Sequence, residues 1–258
     1  MPARPLTSYW DRSQAPMQCL WFLLPLLVLY TLGTAVYAPE GGDRLPAIYA
    51  ERLLGRFFEL FGATGYYLPP LVVVGVLVGM HATRPAGDPV TPEWKLWPGM
   101  VAESILYALP LFLLGSLFSD AERVALWAMA AQAPAPAPAV LGGYPPAAGF
   151  VFALGAGIYE ELVFRLFGIA AVHTVLTGLF RLEHGPALAG SILITGVGFA
   201  LYHFGDAAGF TWPRFLFYAL AGCYLGVVFA GRGFGIAVAT HAVYDILAVG
   251  AALPASPG

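Results

Sequence analysis

Glu160 and Glu161 stand side by side in YEELVFRLFG, inside a long apolar stretch, with Arg165 four residues beyond the second glutamate. Ionisable groups at membrane depth are costly, so a carboxylate pair there is read as chemistry-bearing. On a helix Glu161 and Arg165 share a face in the favourable order for an ion pair, whereas Glu160 points about 100° away. One carboxylate is neutralised and its neighbour is left to act. The competing reading, a purely structural ion pair, accounts for Glu161 and Arg165 but leaves Glu160 buried without a partner.

Two further clusters interrupt later apolar stretches. His203 follows Phe199 by four residues in GFALYHFGD, and His241 precedes Asp245 by four in ATHAVYDILAV. Phe199 sits one turn below the His203 imidazole, where it restricts the ring, and Asp245 shares a face with His241. Taken singly, each histidine has an ordinary structural explanation. Together, two glutamates, two imidazoles and an aspartate on three apolar segments supply what is needed to activate water and hold an oxyanion. Glu160, His203, His241 and Asp245 are also a donor set for a divalent metal such as zinc, and the pattern leaves open whether a metal or none is used. Glu103 reads as structural, near enough to an interface to reach water. His81, His173, His184 and Asp206 carry no partner pattern.

These residues need a scaffold of membrane helices. Of 258 residues, 59% are hydrophobic and 10% charged, with mean hydropathy +0.74, against roughly 25% charged residues in a soluble domain. Apolar segments near 19–38, 66–82, 98–118, 147–176, 187–204, 213–230 and 234–252 predict an all-α, polytopic transmembrane bundle of about seven spans. The stretch 44–61 carries Arg52, Arg56 and Glu59 on one face and apolar residues mostly elsewhere, which predicts an amphipathic helix lying in the interface. Residues 131–146, AQAPAPAPAVLGGYPP, cannot continue a helix and divide N-terminal helices (1–130) from a C-terminal core (147–252).

The first apolar segment is read as a span rather than a cleaved leader, because it outruns a typical h-region. Lys and Arg divide almost evenly between the two sides, so orientation stays open. The net charge of −3 and the lack of a basic run give nucleic-acid binding no support. Cys19 and Cys223 both lie in apolar segments and suggest neither a disulfide framework nor a metal site.

Other signatures of intramembrane hydrolysis are absent: there is no HExxH, no GxSG, and HFGD breaks the GxGD pattern. What remains is EExxxR (Glu160, Glu161, Arg165), then FxxxH (Phe199, His203), then HxxxD (His241, Asp245). Three motifs in this order on successive apolar segments resemble the CPBP family, the CAAX-protease and bacteriocin-processing group also called Abi proteins, over about residues 147–252. Asp245 is a departure from the asparagine usual in prenyl-protein endopeptidases, though Asp is common in bacterial members.

The resemblance implies an endopeptidase of the membrane, with a membrane-embedded or membrane-anchored peptide or protein as substrate and the lipid bilayer as surroundings. It implies Glu160 as a general base positioned with His203, His241 and Asp245 as the groups that orient water or hold the oxyanion, and Glu161 with Arg165 as scaffold. The family's chemistry is described in both glutamate-dependent and metal-dependent schemes. A multi-pass protein of the bacterial plasma membrane is the expected setting. A proton-relay transporter uses the same residue types, but unbroken helices and the lack of internal repeats count against it; a catalytically silent immunity-type binding protein is the remaining alternative.

Overall fold

The computed structural model describes residues 8–37, 49–60, 62, 68–84, 89–130, 146–204 and 209–252. These residues form helices and turns, and no strand occurs among them. A short α1 (Tyr9–Ser13), capped by Ser8, leads into α2 (Pro16–Val36), which begins on a proline suited to a first helical turn. Then come α3 (Tyr49–Glu59), α4 (Leu68–Ala82) and α5 (Trp97–Ala130). The C-terminal core is α6 (Pro146–Gly155), a π-helical segment (Ala156–Ile169), α7 (Ala170–Gly178), α8 (His184–Tyr202) and α9 (Trp212–Ala252).

Five helical stretches are long and apolar enough to cross a membrane by length and composition: Pro16–Val36, Trp94–Phe118, Ala147–Gly178, His184–Tyr202 and Trp212–Ala251. The chain is a polytopic helical membrane protein. The expected segment 66–82 falls on α4, whose 15 residues are shorter than the others. The segment 44–61 contains α3, with Leu53, Phe57 and Leu60 exposed. The proline-rich loop lies almost wholly outside the described residues, as does Asp206.

The boundary expected between the segments 213–230 and 234–252 falls at Gly233, inside α9. There φ is 77° and ψ −179°, a conformation open essentially to glycine alone. Phe217 and Tyr244 lie on either side of it with ring centroids 6.2 Å apart. In a straight helix those residues would be about 40 Å apart. The chain therefore reverses at Gly233, and α9 is two antiparallel arms meeting at one residue. Residue 232, next to the turn, is a buried arginine. Its Nε and Nη2 reach the two carboxylate oxygens of Glu103 at 2.6 and 3.2 Å, its Nη2 donates to Ser13 Oγ at 2.9 Å, and its guanidinium lies 3.6 Å from the Trp10 ring centroid. Glu103 is thus structural, with a buried arginine as its partner.

Glycines bring the elements of the core to backbone contact, as small residues do where membrane helices pack closely. A Cβ on Gly157 would stand 2.9 Å from Ala242 N and Val238 O, which locks the π-helical segment against the second arm of α9. Gly222 approaches Gly196 so closely that a Cβ would sit 2.9 Å from its Cα, which joins α8 to the first arm. The two crossings draw 160–165, 199–203 and 241–245 toward one point.

Candidate active site

The EExxxR motif lies wholly within the π-helical segment, a winding that is rare and concentrated at functional sites. Glu160, Glu161 and Arg165 are all buried. Arg165 Nη1 is 2.9 Å from Glu161 Oε1, so the expected ion pair forms. Arg165 also donates to Gly222 O at 3.3 Å and lies over the Phe199 ring, 4.3 Å from its centroid. The guanidinium is thereby tied to α8 and to the first arm of α9. A buried charge needs such multiple partners to offset its lost hydration.

Glu161 has a second partner, which the motif spacing did not suggest. His241 Nδ1 lies 2.8 Å from Glu161 Oε1. Because a carboxylate only accepts, Nδ1 carries the proton and Nε2 faces the other way. That nitrogen is 3.4 Å from Asp245 Oδ2 and 3.9 Å from Glu160 Oε2.

His203 is oriented by the same logic from another direction. Its Nδ1 is 2.8 Å from Phe199 O, a carbonyl that only accepts, so Nδ1 donates and Nε2 is left toward the site. Nε2 stands 3.8 Å from Glu160 Oε2. The ring stacks on Tyr218 at 3.9 Å and 16° and meets the Phe199 ring edge-on at 4.5 Å. Phe199 thus restricts His203 through both its carbonyl and its ring.

Glu160 sits between the two imidazoles. Oε1 accepts from the Tyr202 hydroxyl at 3.1 Å, while Oε2 is buried and has no hydrogen-bond partner among the described residues. A cavity of about 260 Å³ opens beside it, with Glu160, His203, His241 and Asp245 on one side and Leu111, Leu225 and Ala248 among the apolar lining. All the residues singled out from sequence come together here: Glu160, Glu161, Arg165, Phe199, His203, His241 and Asp245. Outside it, His173 Nε2 and His184 Nδ1 lie 3.0 Å apart at the α7–α8 turn, and His81 ends α4.

Tyr202, Tyr218 and Tyr244 also border the site and were not anticipated. Tyr202 adjoins His203 in the chain, but neighbours on a helix point about 100° apart, so adjacency gave no hint of a shared target. Tyr218 and Tyr244 come to the site from opposite arms of α9, and no local spacing joins them.

Residues 143–247 match the family model described as Rce1-like, type II CAAX prenyl endopeptidase. This C-terminal core belongs to the CPBP family of intramembrane proteases. No curated protein and no solved structure gives a significant match to the chain. The CPBP assignment agrees with the motif order and with the boundaries of the helical core. The match supports a CAAX-type intramembrane endopeptidase for this core, and a membrane-embedded protease family suggests a membrane-associated substrate.

For a metal, the CPBP core offers a poor fit as arranged. Among the described residues no group of three or more His, Cys, Asp or Glu side chains is placed to hold an ion. Glu160 Oε2 stands 3.8 and 3.9 Å from the two Nε2 atoms, wider than the about 3.3 Å between neighbouring ligands of tetrahedral zinc.

Proposed function

We propose that the protein hydrolyses a peptide bond of a membrane-anchored substrate with water activated by Glu160. One observation carries this reading: the free oxygen of Glu160 faces Nε2 of both His203 and His241 at 3.8 and 3.9 Å. Those separations are too long for direct hydrogen bonds and suit groups that share an intervening water.

In this scheme a water donates one proton toward Glu160 Oε2 and the other toward His203 Nε2. Glu160 takes its proton as the water oxygen attacks the scissile carbonyl, and the carbonyl electron pair moves onto oxygen. His241, held by Glu161 and flanked by Asp245, turns Nε2 toward that oxyanion and donates to it in its imidazolium form. Collapse of the tetrahedral intermediate breaks the C–N bond. The amine leaves with the proton that Glu160 received, which restores the carboxylate. Arg165 touches no reacting atom and holds Glu161 in place.

The division of labour follows from this scheme, with 1–130 as scaffold, 131–146 as connector and 147–252 as catalytic core, in a bacterial plasma membrane. Comparative peptidomics of membranes carrying the wild-type chain or Glu160→Ala tests the reading. Membrane-derived peptides absent from the variant are expected, and identical peptide sets would refute it.

A further inference from the structure

We propose that Tyr202 is a positioning residue for Glu160 and that its hydroxyl couples the carboxylate to helix α3. The inference rests on the reading of Glu160 as the base. Two hydrogen bonds meet at the Tyr202 hydroxyl: it accepts from Ala50 N at 3.0 Å and lies 3.1 Å from Glu160 Oε1. Ala50 is the second residue of α3, where backbone N–H groups lack an acceptor within the helix. An N–H cannot accept, and the hydroxyl has one proton. The direction is therefore fixed, from Ala50 to Tyr202 to Glu160.

The surroundings hold this link in place from both ends. The Tyr202 ring is met edge-on by Phe164 at 5.2 Å and by His203 at 5.0 Å. On α3, Glu51 accepts from the Tyr30 hydroxyl, and the Tyr30 ring lies 5.4 Å from that of Tyr159, the residue before Glu160. The start of α3 thus reaches the catalytic segment by two routes. While α3 is seated, Oε1 of Glu160 is occupied and Oε2 is the oxygen that faces the histidines. When α3 lifts away, the hydroxyl loses the donor that orients it, and the carboxylate is free to turn. A helix with exposed Leu53 and Phe57 is thereby given control over the geometry of the base.

The test uses the full chain in liposomes with a quenched, farnesylated CAAX peptide. Tyr202→Phe is expected to lower kcat about tenfold to a hundredfold with KM within about twofold, because geometry at the base is lost and binding is not. Ala50→Pro removes the backbone donor and sets the ring's Cδ against the Tyr202 hydroxyl, at a buried position but in a helical turn that tolerates proline. It should lower kcat alike, and the double variant should be no slower than the slower single one. If Ala50→Pro does not fold, Tyr30→Phe loosens the same helix and should also lower kcat.

Without any substrate, hydrogen exchange at the Ala50 amide should quicken in Tyr202→Phe. Wild-type kcat in Tyr202→Phe, or unchanged exchange at Ala50, would overturn the proposal. Glu160→Gln is run alongside: if it is inactive while Tyr202→Phe is fully active, only the positioning role fails, whereas an active Glu160→Gln removes the underlying reading.

Discussion

His241 Nδ1 lies 2.8 Å from Glu161 Oε1, the same oxygen that receives Arg165 at 2.9 Å. Glu161 is therefore the joint between the EExxxR motif and the HxxxD motif. It pins the π-helical segment to the second arm of α9 and fixes which nitrogen of His241 faces the cavity.

Removing Arg165 leaves Glu161 a buried charge with one remaining partner. Arg165→Ala should cost about 3–5 kcal/mol of stability and also lower activity. Thermal unfolding in detergent checks this, and a melting temperature equal to wild type would contradict the ion-pair argument.

The two histidines should separate under mutation. His203 is bonded to a carbonyl of its own helix, so His203→Ala should abolish cleavage with little change in melting temperature. His241→Ala should abolish cleavage too, but it strips a donor from buried Glu161 and should destabilise by about 1–3 kcal/mol. Equal melting temperatures for the two variants would show that Glu161 does not depend on His241.

Close backbone packing at Gly157 makes a steric prediction. Gly157→Ala drives a methyl into the backbone of α9, where neither neighbour is a flexible side chain, and should destabilise by about 1–3 kcal/mol while displacing Glu160. Gly75→Ala, whose added methyl meets nothing within 4 Å, is the control. It should melt at or slightly above the wild-type temperature, since alanine favours the helix. Equal loss in both would remove the packing explanation.

Metal dependence is open to direct measurement. Protein stripped with a chelator and shown metal-free by elemental analysis should keep full cleavage activity. Loss of activity that zinc restores would replace the glutamate scheme with a metal-dependent one.

Much of the site was legible because its members are helical neighbours. Glu161 with Arg165, Phe199 with His203, and His241 with Asp245 are each four residues apart, and that spacing puts each pair on one face whatever the tertiary structure. The free role of Glu160 came from the same geometry. Contacts between elements were not legible. His241 with Glu161, Arg232 with Glu103, and Ala50 with Tyr202 join residues at least 80 positions apart, and no local pattern encodes such pairings. The reversal at Gly233 was half visible. Two apolar segments meeting around a glycine marked the boundary, but the positive φ that folds them together is a backbone property. The π-helical winding leaves no trace in residue spacing that an α-helix would not share.

The most direct test replaces one atom of the proposed base. Glu160→Gln keeps the size of the side chain and its acceptor for Tyr202 but cannot take a proton from water. Cleavage of the farnesylated peptide by purified, folded Glu160→Gln should fall by about 10²–10⁴-fold relative to wild type. Cleavage at a near wild-type rate would contradict the account.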